Sequence, residues 1–233
     1  AGAQEALALR VANRDLRDLQ LQTGEVEIDG VRWLIGGAEH VEAVSLRDNI
    51  SPSAAVAVKA APERLHFLHT LRKGAGLEEL EKKYQETGRL PAHPPQVFAY
   101  ELAYDDGSRH TIHVDWMHHV GALDQEKLKP RLYNAKPVIL SESDPRQVVY
   151  HCMTPNPFPG REIESIRIVA PEKGSEMGVP FLLGLAVESV EPVGALGYDW
   201  GCNDYSYLYG PTHVKVEGGR LRVPMQNKSD RAA

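Results

Sequence analysis

Cysteine is scarce in this chain: Cys152 and Cys202 are the only two in 233 residues. Two cysteines define no redox compartment. They fit one bridge in an oxidising space, or two separate buried thiols, the common fate of an unbridged cysteine. Long apolar runs are absent as well. None reaches the roughly 18–20 residues that span a bilayer, so no membrane span is expected. Positive charge is in deficit, with 26 Lys and Arg against 32 Asp and Glu and a formal net charge of −6. A nucleic-acid backbone is therefore not an expected partner. There is no Gly-rich phosphate loop, no G-x-S-x-G elbow, no internal repeat and no low-complexity tract. The first residue is Ala1 rather than Met, as expected of a processed or excised piece whose targeting information has been cut away.

What is present is apolar residue enough for a core, 42% of the chain, in a pattern of short strands. The stretch from Gln147 to Glu188 shows it best. Val148, Val149 and Tyr150 begin one strand. Pro155, Pro157, Pro159 and Gly160 then stop any ladder, because proline lacks a backbone donor. Ile166 and Ile168 alternate with Ser165, Arg167 and Val169. Ile163 is out of phase with them, which predicts a bulge or a late strand start. The run VPFLLGLAV is apolar on both parities, as suits a strand deep in a sandwich; a buried helix competes, but the run is short and headed by Pro180. Links this short join only antiparallel strands.

The rest of the chain agrees. Residues 1–23 read as an N-terminal arm, with a short helix possible near Ala3–Val11. Val26, Ile28 and Val31 flank Asp29-Gly30, a hairpin signal. Strands are expected at Val41–Leu46, Ala54–Ala60 and from Leu65 to His69, where Leu65, Phe67 and His69 share a side. Leu77, Leu80 and Tyr84 stand at helical spacing, so one amphipathic surface helix, closed by Gly88 and the prolines after it, interrupts the strands. Its simplest role is to cover a sheet edge, and a partner-binding role competes. Val97–Tyr104, the turn Asp105-Asp106-Gly107 and His110–Val114 form the clearest hairpin. Residues 116–136 have no clean period. Residues 24–190 thus form a β-sandwich, and residues 191–233 an aromatic C-terminal extension expected to pack on it. That extension contains a second hairpin around Gly218-Gly219.

Several phrases occur in a telling order: NRDLRDLQLQTGEVEIDGVRW, RLHFLHT, YELAYDDGSRHTI, YHCMTPNPFPGREIESIRIVA and VPFLLGLAVE. Together, over roughly residues 13–188, they make the chain resemble the galactose-binding-like β-sandwich modules of bacterial carbohydrate-active enzymes. The resemblance implies an antiparallel jelly roll of about eight strands, with sugar bound at one end. The chain departs from the pattern in three places. It lacks an aromatic near Met153, it carries the charged helix, and its aromatic tail follows residue 190.

Sugar recognition needs flat aromatic faces and planar polar groups. Tyr198, Trp200, Tyr205, Tyr207 and Tyr209, with Asp199, Asn203 and Asp204, supply both within twelve residues. In an extended chain Tyr205, Tyr207 and Tyr209 share a face. The competing reading is an aromatic clamp that seals the sandwich. Trp116, followed by His118, is either a loop platform for sugar or a core plug. His110, His113, His118 and His119 lie close together with Asp115, but without a recognised zinc spacing. His66 and His69 read as hydrogen-bonded core or edge residues. Calcium on the loops Asp48–Ser53 or Asp105–Ser108 is conceivable, since oxygen ligands suit it; no other cofactor is expected. Asp105-Asp106-Gly107 is explained more simply by turn chemistry.

The expected function is a non-catalytic carbohydrate-binding or accessory module of a larger secreted or periplasmic protein. Its partners would be a polysaccharide or oligosaccharide and a neighbouring catalytic domain. The alternatives are a histidine/carboxylate enzyme, metal-assisted or not, that cleaves polysaccharide, and a structural module for packing or dimerisation.

Overall fold

The computed structural model describes residues 3–7, 14–15, 23–36, 42–46, 52–88, 94–123, 132, 134–139, 147–170, 176–189, 215–217 and 220–222. The chain divides into two units, one of Ala3–Ser189 and one of Ala1–Gly2 with Val190–Ala233. In chain order the first contains β1 (Ala3–Leu7), β2 (Arg14–Asp15), β3 (Gly24–Ile28), β4 (Val31–Ile35), β5 (Glu42–Ser45), β6 (Val56–Ala60), β7 (Arg64–Lys73), α1 (Ala75–Thr87), β8 (Gln96–Tyr104), β9 (Arg109–Asp115), β10 (Ala135–Ile139), β11 (Val148–Pro155), β12 (Ile163–Val169) and β13 (Gly178–Ser189). In the second, β14 (Lys215–Glu217) and β15 (Arg220–Arg222) pair as an antiparallel hairpin. The fold is all-β with one short helix.

The larger sheet runs β10-β11-β7-β13-β5-β2, and β1 also pairs with β13. A second sheet runs β6-β12-β8-β9. Every named strand pair is antiparallel. The two sheets face each other across one core. Leu65, Phe67 and Leu71 of β7, Tyr150 of β11 and Leu182 and Leu185 of β13 meet Phe98, Tyr100, Leu102 and Tyr104 of β8 and Ile166 and Ile168 of β12. Each such fully buried side chain contributes about 1.5–3 kcal/mol by leaving water.

The sandwich has a third layer. The hairpin β3–β4 covers the opposite face of the larger sheet, where Val26, Trp33 and Ile35 pack against Leu68, Val149, Leu183 and Ala186. This explains the run VPFLLGLAV. Both faces of β13 are buried, so both parities are apolar. Gly184 sits at a register shift in β13, and a Cβ there would lie 2.8 Å from Cε3 of Trp33. The glycine lets the indole lie directly on the strand.

Local expectations are met where local chemistry decides. Asp29 and Gly30 have φ of 53° and 77°, the two left-handed residues of a type I′ hairpin turn. The register of β12 shifts between Ile163 and Ser165, at the phase break in the sequence. Helix α1 buries Leu77 and ends where the Gly88 N–H meets the Tyr84 carbonyl at 2.7 Å. Its buried Glu81 accepts from Lys73 Nζ at 2.9 Å.

The amino-terminal segment differs from expectation. Ala3–Leu7 is a strand that pairs with Leu185–Ser189, and Arg14–Asp15 pairs with Glu42–Ala43. Alanine-rich composition favours a helix only weakly, and the open edge of β13 overrides it.

Candidate functional site

A row of polar side chains crosses the larger sheet on the face under the β3–β4 hairpin. His66 lies opposite Ala186, and His151 opposite Leu68. Glu188 and His66 are therefore diagonal neighbours on one face, and so are His66 and His151. His66 Nε2 lies 3.2 Å from Glu188 Oε2. His66 Nδ1 lies 3.1 Å from His151 Nε2. His151 Nδ1 lies 2.8 Å from Asp29 Oδ2, which reaches down from the hairpin turn. The result is a continuous relay, Asp29–His151–His66–Glu188.

Cations flank both ends. Arg64 stands 3.6 Å from Glu188, and Lys136, directly opposite His151 on β10, stands 3.1 Å from Asp29. The Trp33 ring meets the His151 ring edge-on. His66, His151 and Glu188 are buried, while the Asp29 side chain is 30% exposed. Burial pushes the His66 imidazole below its ordinary value. The Glu188 bond opposes that, and the charges of His151 and Arg64 add to it. Burial alone would raise the Asp29 carboxyl, but hydrogen bonds and charge from His151 and Lys136 outweigh it and hold it below the usual carboxylate range. All four imidazole nitrogens are engaged within the relay. It can share and shift a proton internally.

A second histidine arrangement lies on the other face. His69 is fully buried between Tyr100 Oη and the His119 carbonyl, each at 2.9 Å. His119 Nδ1 accepts from the Asp115 N–H at 3.1 Å, and burial lowers its pKa against the opposing charge of Asp115. His66 and His69 are thus hydrogen-bonded interior residues, as their sequence setting suggests.

The other candidates among the described residues do not converge on one site. Trp116 is 0% exposed and belongs to the main core, which corrects its reading as a sugar platform. The Trp116 N–H bonds Pro95 O at 3.0 Å and the Met117 N–H bonds Val120 O at 2.9 Å, with Met117 at a φ of 65°. This tight turn folds the indole inward, so Trp116 is the core plug. His118 is half-buried and meets the His119 ring edge-on. His110 points inward to the Phe158 ring, and His113 is exposed on the opposite face of β9. Among the described residues, no group of three or more His, Cys, Asp or Glu is arranged to hold a metal ion. Asp106 accepts from the Ser108 N–H and from Arg161, each at 2.8–2.9 Å, so its carboxylate does turn chemistry. Tyr198, Asp199, Trp200, Asn203, Asp204, Tyr205, Tyr207 and Tyr209 lie outside the described residues, as do Cys202 and most of the Asp48–Ser53 loop. Cys152 is buried on β11.

Sequence reasoning missed the relay. Its members are 85 and 122 residues apart in sequence. The one available signal was Glu188, a carboxylate closing an otherwise apolar strand. No helix among the described residues is long and apolar enough to cross a membrane. No family model matches the sequence, and no curated protein matches it.

Proposed function

We propose that this chain is a non-catalytic carbohydrate-binding or accessory module of a larger secreted or periplasmic polysaccharide-active protein, set beside a catalytic domain. Glycan would be held by stacking on Tyr198, Trp200, Tyr205 and Tyr207, with hydrogen bonds from Asp199, Asn203 and Asp204. The observation that carries this reading is how the sandwich uses its own recognition chemistry. Trp33 and Trp116 are core residues, and the histidine relay is closed on itself. The aromatic–Asp/Asn composition of 198–209 is where rings and polar planes stand together in the sequence. The antiparallel sandwich and the resemblance noted above support the same reading.

The test is retention of the full chain on insoluble polysaccharides and on a glycan array, with Trp200→Ala and Tyr205→Ala beside the parent. Selective loss of retention in folded variants is the expected result. No retention on any glycan removes the proposal. A second reading, a histidine/carboxylate enzyme, draws on the partly exposed Asp29 at the end of the relay. It requires product release from a polysaccharide, abolished by His66→Gln.

A further inference from the structure

The hairpin β3–β4 is a two-stranded sheet of its own, without ladder bonds to the other sheets among the described residues. Such hairpins are marginal unless side chains hold them. Its strands are held by apolar packing. Its turn is held by polar contacts to Asp29, from His151 at 2.8 Å and Lys136 at 3.1 Å.

The relay beneath that turn has three links, and each link needs one hydrogen. Two neutral imidazoles carry two N–H groups between them, and ionised carboxylates carry none. Both ends of the relay are carboxylates. A third proton is therefore required before all three bonds exist together. With it, His151 donates from both nitrogens, to Asp29 and to His66, while His66 Nε2–H donates to Glu188. With two protons, one link sets lone pair against lone pair. With four, at least one link sets two hydrogens face to face.

We propose that the Asp29–His151–His66–Glu188 relay is a proton-counting strap, which fastens the β3–β4 turn to the sheet only while it holds three protons. The turn is tight in a middle pH range and loosens on either side. Among the described residues, the groups facing the relay are Arg64 on β7, Lys136 on β10, Asp29 in the turn and Glu188 on β13; β4 presents the neutral Trp33 ring. Through the sheet, His69 also feels the His151 charge. Imidazole is the side chain whose ordinary titration falls in this range, so the histidine pair sets the response.

Amide substitution supplies the discriminating test. In Asp29→Asn the side-chain amide can donate to His151 Nδ1, and His151 and His66 then each donate once toward Glu188. Three hydrogens are present with both imidazoles neutral. Glu188→Gln achieves the same from the other end. The measurement is amide hydrogen exchange of Ile28 and Val31 in the full chain from pH 5 to pH 9, corrected for intrinsic rates. Histidine nitrogen NMR reports the proton count. The parent should show one imidazolium shared by the pair in the middle range. Hairpin exchange should rise about tenfold on the alkaline side, as one bond of roughly 1.4 kcal/mol is lost. Asp29→Asn and Glu188→Gln should lose that alkaline rise. Lys136→Met should keep it, because it leaves the proton count unchanged. Flat exchange in the parent, two neutral imidazoles at mid-range, or an alkaline rise that persists in both amide variants would each overturn the proposal.

Discussion

Tyr100 donates its phenolic hydrogen to His69 Nδ1 at 2.9 Å, in the middle of the sandwich. His69 must carry its own hydrogen on Nε2, which donates to the His119 carbonyl at 2.9 Å. That tautomer is neutral, and a second proton on Nδ1 would displace the Tyr100 donation and leave a buried charge. Burial accordingly pushes the His69 pKa down to about 3, against the backbone bond to His119.

The consequence is acid sensitivity with a defined sign. The unfolded chain takes up a proton at His69 near its ordinary value of 6.5, and the folded chain does so only near 3. Between those values the unfolded state binds more protons, so stability falls as pH falls. The slope from this residue is at most about 1.4 kcal/mol per pH unit. His66 and His119, also lowered chiefly by burial, act in the same direction. Denaturant titrations at pH 7, 5.5 and 4 should show the loss, and His69→Gln should have a shallower slope by up to one proton. Equal slopes in the two proteins would refute the assignment.

The contact of Trp33 with Gly184 makes a steric prediction. A methyl at position 184 would sit 2.8 Å from the indole, with Leu68 Cβ next at 3.4 Å. The ring is buried in an apolar cluster, and such interiors are close-packed. Gly184→Ala should therefore cost about 1–3 kcal/mol by overpacking. Near-ultraviolet circular dichroism should report the displaced indole. Unchanged stability would show that the hairpin slides on the sheet without cost.

Asn156 explains the Asn-Pro loop between β11 and β12. Its Oδ1 accepts from Tyr104 Oη at 2.8 Å and from the Phe158 N–H at 3.1 Å, and its Nδ2 donates to the Pro62 carbonyl at 2.9 Å. Asn156→Ala leaves the buried Tyr104 hydroxyl and the Pro62 carbonyl without these partners. Each orphaned group costs about 1–3 kcal/mol, so a loss of several kcal/mol is expected. Asn156→Ala with Tyr104→Phe, measured as a double-mutant cycle, should show strong coupling. Additive effects would place the loop's stability elsewhere.

Legibility followed sequence distance. Asp29-Gly30 announced its turn because two left-handed residues in a row are a local demand. The bulge at Ile163 was readable because a strand has period two and a break in phase is visible in five residues. The terminal arm, with a short helix possible near Ala3–Val11, gave no strand cue because composition was all it offered; the partner of Ala3–Leu7, Leu185–Ser189, lies at the far end of the unit. The double-apolar run of β13 signalled burial on both faces, but nothing local named the β3–β4 hairpin as the second cover. The relay needs five strands and a turn in place before its members meet. Taken singly, Asp29 had a bland explanation as a turn residue and His66 as a core or edge residue, and nothing singled out His151.

Trp116 separates core from surface in a way that any binding assay must respect. Its indole is fully buried among the core residues, and its Nε1–H meets no acceptor among the described residues. Trp116→Ala removes a large buried ring and should cost about 3–5 kcal/mol. A loss of glycan retention in that variant would then track its unfolded fraction and recover on cooling. Trp116→Phe keeps most of the packing and also removes the orphaned donor. The two effects oppose, because the lost volume destabilises while the relieved donor returns about 1–3 kcal/mol. Trp116→Phe should therefore lie well above Trp116→Ala in melting temperature and bind as the parent does. If Trp116→Phe melts with the parent and yet loses retention, the indole acts in recognition rather than in packing.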